Sequence, residues 1–349
     1  MNNFSDIKNV SFSSKKGCIC LVVLGGLGDA ILFSPTFKAA RSAYPEYFLV
    51  LIAANRFVEE VYLDDLIFDK IFVIESNKKN LKLLSQLLEI KKFFSYYGGV
   101  KLLVGAPRLS RFWIMFFKFL FNPTKIICFT NPPKFRNDID ISIMTAQILT
   151  KEIAHTPCVP IKENDVNLIR KFLLDNFGIT SDKFIIAVYP STERWNRPQV
   201  PLKVLLEAVL KVSKSIKNSK IIIIGADREK ELFDNINVDY PDVISLAGVL
   251  NLRQTAALLS IAGLAVCNDG SLMHMAGALD RPLLAIMPNT STIHTPPGTR
   301  KVMLSGDGLK CFPCYPSRPS WCIKSTFLPL CVKGITSDKI VDGIRKLLI

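Results

Sequence analysis

Two tandem α/β units, each a doubly wound parallel sheet, are what this sequence predicts, and three observations carry the prediction. Short continuous apolar runs alternate with helix-length segments along the chain, the alternation pauses at a stretch containing Pro and Asp and then restarts, and 349 residues that are 49% hydrophobic exceed what one small core needs. Strands that are apolar at every position, not just at alternate ones, imply a sheet covered by helices on both faces.

Taken in order, residues 18–24 read as a strand leading into a helix from about Ala30, 48–52 as a strand before a helix at 56–63, and 71–74 as a strand before a helix at 81–94. Further strands are expected at 100–104 and 125–129. Between them lies RFWIMFFKFLF at 111–121, basic and aromatic together, which reads better as a buried core helix than as an interfacial membrane helix. The stretch 131–140 is a linker, a helix follows near 142–152, and the pattern restarts after 157–165. Strands are then expected at 184–189, 220–225, 243–246, 264–267 and 283–287. The last segment, 336–349, begins with capping residues and reads as a closing helix. The domains expected are therefore 1–160, closed by helix 336–349, and 161–335, with a ligand cleft between them at the carboxyl ends of both sheets.

A formal charge of +14 calls for an anionic partner but does not choose among nucleic acid, anionic lipid and a phosphorylated substrate. No zinc-finger spacing with histidines, RNP-type aromatic motif or basic heptad region accompanies the charge, so no nucleic-acid partner is expected. No apolar run is long enough to span a bilayer, and the first residues lack the charged, apolar and cleavage regions of a secretory signal, which makes the cytoplasm the expected compartment.

The first strand runs into Leu24-Gly-Gly-Leu-Gly-Asp29. Glycines there let backbone N–H groups approach a ligand, and a helix start favours anions. The turn is not a dinucleotide fingerprint, because Ile31 occupies the third glycine position and no acidic residue ends the second strand. Asp29 is the informative residue: read alone it is an ordinary helix-cap aspartate, but a carboxylate at a helix start beside a cleft can also accept a proton. In the second half, a strand ends at Asp269 and Gly270-Ser-Leu-Met-His274 opens a helix. The N–H groups of Gly270, Ser271 and Leu272 would point at a bound anion such as a pyrophosphate. His274 is either a satisfied core histidine or a donor to that phosphate and an orienter of Asp269.

With these motifs the chain resembles the ADP-heptose:lipopolysaccharide heptosyltransferase family, whose fold is GT-B, two Rossmann-like domains facing across a cleft. The resemblance runs through Gly28-Asp29-Ala-Ile-Leu-Phe-Ser-Pro35, then Gly225-Ala226 with Glu229, Leu246-Ala-Gly248, Asp269-Gly-Ser-Leu-Met-His274-Met-Ala-Gly-Ala278 and Met287-Pro-Asn-Thr290. The small residues after Asp269 stand in swapped order. The resemblance implies an inverting transferase that needs no catalytic metal, an ADP-sugar donor, and an anionic glycolipid or protein acceptor; the basic charge and the aromatic segment 111–121 lean towards a lipid acceptor, with peripheral contact at the cytoplasmic face of the inner membrane. It assigns Asp29 as catalytic base, Glu229 to the ribose and Leu250 to adenine, with Ser191, Thr192, Arg194, Asp269, Gly270, Ser271, Leu272 and His274 around the donor phosphates. The family's phosphate-binding lysine aligns with Glu193, so neighbouring Arg194 is the expected substitute, a guanidinium being able to pair with phosphate in two-pronged fashion. Asp138 and Asp140 superficially match the metal-binding Asp-x-Asp of another glycosyltransferase fold and are expected to be solvated in the linker.

Four of the nine cysteines, Cys311, Cys314, Cys322 and Cys331, gather in the Pro-rich segment 310–333. Four thiolates can enclose a structural zinc or iron, or remain four reduced thiols. Two other function classes share the fold: a sugar-nucleotide epimerase, which needs acid and base residues around the sugar that this sequence does not reveal, and a catalytically silent nucleotide-sugar-binding protein.

Overall fold

Every residue of Cys18–Val23 (β1) and Phe48–Ala53 (β2) is apolar and buried, and the two segments pair in parallel register from Cys18 opposite Phe48 to Val23 opposite Ala53. In the computed structural model, which describes residues 15–63, 66–74, 80–107, 109–129, 137–150, 156–191, 198–234, 236–290, 294–314, 322 and 328–349, these strands form the centre of the first of two compact units, 1–160 and 161–349. Lys70–Val73 (β3), Val100–Gly105 (β4) and Lys125–Ile127 (β5) complete an all-parallel sheet of order β3-β2-β1-β4-β5. Its helices are Leu27–Ala43 (α1), Arg56–Tyr62 (α2), Asn80–Tyr96 (α3), Arg111–Phe121 (α4) and Asp138–Leu149 (α5).

Helix α5 packs along α1, where the buried Thr36 hydroxyl donates to the Ser142 carbonyl at 3.1 Å and the Ser34 hydroxyl accepts the Cys158 N–H at 2.7 Å. The Asp-x-Asp pair therefore does not lie in a solvated linker. Asp138 is buried in the first turn of α5 behind its Asn137 cap, and only Asp140 is exposed.

Helix α4 departs from the expected core helix. It buries Phe117 and Phe121, each contributing about 1.5–3 kcal/mol, and leaves Phe112, Met115 and Phe119 in solvent. A helix that is apolar all round reads as internal, yet only one stripe of this one meets the sheet.

The second unit has an all-parallel, six-stranded sheet of order β11-β10-β9-β6-β7-β8. Its strands are Phe184–Tyr189 (β6), Ser219–Ile223 (β7), Val243–Ser245 (β8), Leu264–Asn268 (β9), Leu283–Met287 (β10) and Lys301–Ser305 (β11). The edge strand β11 was not anticipated, its half-exposed residues lacking the continuous apolar signature of the others. Glu163–Phe177 (α6), Leu202–Ser213 (α7), two short helices Lys230–Phe233 (α8) and Ile236–Asp239 (α9), Leu252–Ile261 (α10) and Ser271–Ala278 (α11) accompany it.

The C-terminal helix Ser337–Arg345 was expected to close the first unit and instead belongs to the second. Its apolar stripe, Ile340, Val341 and Ile344, joins the core formed by α7 with β6, β7, β9 and β10. A Cβ on Gly343 would lie 2.6 Å from Leu284 Cδ1, so glycine lets this helix approach β10 closely.

Candidate active site

In each sheet the chain leaves the central pair of strands in opposite directions, and ligands of open α/β folds bind at the carboxyl edge of that switch point. In the first sheet the point lies between β1 and β4, and β1 feeds directly into the glycine turn and α1. The Gly26 N–H donates to Asp29 Oδ2 at 2.7 Å, while Asn55 at the end of β2 donates through Nδ2 to the Gly25 carbonyl at 3.1 Å. A Cβ on Gly25 would fall 2.2 Å from Asp29 Oδ2, so only glycine leaves room for the carboxylate to fold back. Gly26 occupies the N-cap position, and Asp29 stands three residues on, exposed to solvent.

The same device recurs at the end of β7. The Ala226 N–H donates to Glu229 Oε2 at 2.7 Å, and a Cβ on Gly225 would lie 2.7 Å from that oxygen. Here the carboxylate is only 2% exposed. Covering it is the turn after β8, where the Gly248 N–H donates to the Gly225 carbonyl at 3.1 Å with Gly248 in the left-handed region at φ 71°. Leu250, half-buried, follows on that turn, so adjacent strand ends bring the regions of Glu229 and Leu250 together.

The switch point of the second sheet lies between β6 and β9. Asn268 at the end of β9 donates to the Pro190 carbonyl at the end of β6, tying the segment before Asp269 to the one carrying the buried Ser191. Asp269, 3% exposed, accepts a hydrogen bond from the Thr290 hydroxyl. Gly270 caps α11 in an extended conformation, and a Cβ there would lie 2.9 Å from the Tyr189 ring, so the residue must be small for α11 to start against β6. Ser271 opens the helix, and the N–H groups of its first turn have no intrahelical acceptor. Leu272 and His274 are buried, with His274 in the helix interior. Thr192, Glu193, Arg194 and Trp195 lie outside the described residues.

The Met287-Pro-Asn-Thr290 turn carries the family resemblance, but nothing in the sequence assigns Thr290 a role. Its proximity to Asp269 depends on β10 lying next to β9, which no local pattern reveals.

Cys311, Cys314, Cys322 and Cys331 line one cavity together with Pro198, Pro288 and Asn289. Burial, then the neighbouring thiols of Cys314, Cys322 and Cys311, pushes the Cys331 thiol above its ordinary range. Among the described residues no group of three or more His, Cys, Asp or Glu side chains is placed to hold a metal ion, so the four thiols share a space without forming a closed ligand set. Gly306 lies between Pro288 and Cys331: a Cβ there would meet the Pro288 carbonyl at 2.6 Å and Cys331 Cβ at 2.7 Å. Cys18 and Cys267 in the strands are of another kind, their thiols pushed up to about 12 chiefly by burial.

Two units that are each a doubly wound parallel sheet are the fold of the GT-B glycosyltransferases. Residues 174–320 match the family model of glycosyltransferase family 9 (heptosyltransferase). Lipopolysaccharide heptosyltransferase 2 of Salmonella typhimurium is 26% identical over 155 residues, 42% of this chain and 41% of that protein. The matched stretches span less than half the length of the curated relatives. Among solved structures, a family 9 glycosyltransferase from Veillonella parvula superposes with a TM-score of 0.77 at 16% identity, covering 96% of this chain and 98% of the other. The iron-containing dodecameric glycosyltransferase TibC of enterotoxigenic E. coli superposes with a TM-score of 0.57 at 11% identity, covering 96% of this chain and 77% of the other.

Proposed function

We propose that the protein is an inverting glycosyltransferase that moves a heptose or related sugar from an ADP-sugar to a lipopolysaccharide-core or other glycan or protein acceptor, working in the cytoplasm. The observation that carries this reading is the convergence, on one carboxyl edge of the family 9 unit, of Ser191, Glu229, Leu250 and the Asp269–His274 segment, with the start of α11 at the switch point. Glu229 holds the ribose, Leu250 lies against adenine, and the first-turn N–H groups of α11 receive the phosphates, joined by Ser191, Thr192 and Arg194.

In this reading the acceptor hydroxyl oxygen attacks the anomeric carbon while Asp29 takes its proton. The bond from that carbon to the ADP oxygen breaks on the opposite face, ADP leaves with the electron pair, and the configuration inverts. Charge growing on the leaving phosphate is met by the helix start and the Arg194 guanidinium, so the step calls for no divalent metal. Thr290 acts through Asp269 as a positioning residue.

The four cysteines are proposed as a structural zinc or iron site, supported by their shared cavity and by the thiophilic character of the donor set. The thiols would draw together to enclose the ion, and a bound ion would brace the Pro288–Thr290 turn. Metal analysis of purified protein tests this, and absence of both zinc and iron would remove the site. For the main reading, purified protein should release ADP and extend a core-sugar acceptor when given ADP-heptose. Failure with ADP-, UDP- and GDP-sugars on every acceptor would overturn it.

A further inference from the structure

Helix α4 carries two aromatic ladders on opposite sides. The inner one stacks Trp113 on Phe117 and Phe117 on Phe121, with ring centroids 5.5 Å apart at each step, and continues into Phe94 of α3 at 4.9 Å. This ladder seats α4 and α3 on the same face of the first sheet. The outer ladder has no such partner: Phe112 is 69% exposed, Met115 63% and Phe119 88%, and Phe112 stacks on Phe116 at 6.1 Å. Spacings of three, four and seven residues put these side chains on one stripe. Neighbouring α3 adds exposed Leu84, Leu88 and Tyr96.

We infer that the outer faces of α3 and α4 dock onto an anionic phospholipid bilayer. Charge selects this occupant. The two helices hold five cations, Lys82, Lys91, Lys92, Arg111 and Lys118, against the single acid Glu89. A second copy would bring the same positive surface and repel, whereas anionic headgroups attract such cations while the aromatic side chains enter the acyl boundary. No helix among the described residues is long and apolar enough to cross a membrane, so this surface lies on the bilayer and does not span it. The inference does not rest on the proposed function: vesicle binding needs neither donor nor acceptor, so either can fail alone.

The test is co-sedimentation of the full chain with vesicles of phosphatidylcholine alone and of phosphatidylcholine mixed equally with phosphatidylglycerol. The protein should bind the mixed vesicles and not the neutral ones, and added salt should weaken binding. Phe112→Ser with Phe119→Ser should lower partitioning about tenfold or more, and Lys118→Ala about fivefold. The melting temperature should stay unchanged in both variants, showing an intact fold. Equal binding to both vesicle types, no binding to either, or wild-type binding by the serine variant would overturn the inference. A dimer in sedimentation that the serine variant dissolves, without vesicle binding, would assign the surface to a second copy instead.

Discussion

The turns ending at Asp29 and Glu229 are built alike and differ in one respect. Each follows a buried parallel strand, places a glycine at the strand end, and folds a carboxylate back to accept the N–H of the helix cap at 2.7 Å. Asp29 is exposed, whereas Glu229 is 2% exposed beneath the turn carrying Gly248. The same local chemistry thus yields a carboxylate that solvent can reach in one unit, and one locked into the scaffold in the other. Exposure suits proton transfer, and burial suits a fixed hydrogen-bond acceptor for a ligand.

Asp29→Asn should separate charge from shape, because an amide oxygen can still accept the Gly26 N–H. Transfer should fall by about 10²–10⁴-fold, while ADP affinity and melting temperature stay close to wild type. Next in size is Thr290→Val, which leaves the buried Asp269 without its hydroxyl donor. Stability should drop by about 1–3 kcal/mol and ADP should bind more weakly, read by thermal shift with and without nucleotide.

The glycines sharpen the comparison further. Gly225→Ala should cost about 1–3 kcal/mol because the buried Glu229 has no room to move. Gly25→Ala should leave stability within about 0.5 kcal/mol of wild type and still damage transfer, since the exposed Asp29 can swing away from the intruding Cβ. Equal destabilisation by both would show that exposure does not separate the two turns.

Smallest is the effect at Asp280, a carboxylate that also accepts a backbone N–H, that of Thr299 at 2.8 Å. That bond, the Thr299 hydroxyl and the charges of Arg300 and Arg281 hold its carboxyl below the ordinary value of 3.8. A depressed folded pKa gives stability that is present above the unfolded value and lost as pH falls through the folded one. Melting temperature followed into acid should show a slightly steeper fall in wild type than in Asp280→Asn.

Much of this was legible in the sequence, for reasons particular to each part. Strands such as CICLVV and FLVLIA announce burial on both faces through unbroken apolar runs, and the start of α11 shows as a small-residue break between a strand and a helix. The host of the C-terminal helix was not legible: Ile340, Val341 and Ile344 declare a stripe without naming the sheet that receives it. The outer face of α4 was hidden because nine of its eleven residues are apolar, so Arg111 and Lys118 alone, seven apart, mark the side that turns to solvent. Thr290 and Asp269, 21 residues apart, meet only through strand order. Burial of Glu229 likewise depends on a turn from another strand, which is why two matching local motifs could not be told apart beforehand.

The most direct test of the account is a side-by-side assay of wild type and Asp29→Asn with ADP-heptose and a lipopolysaccharide-core acceptor, with ADP affinity measured on the same preparations. The account predicts transfer by wild type with inverted anomeric configuration, and loss of transfer with unchanged ADP affinity in the variant. Full transfer by Asp29→Asn, or a product that retains the donor configuration, would contradict it.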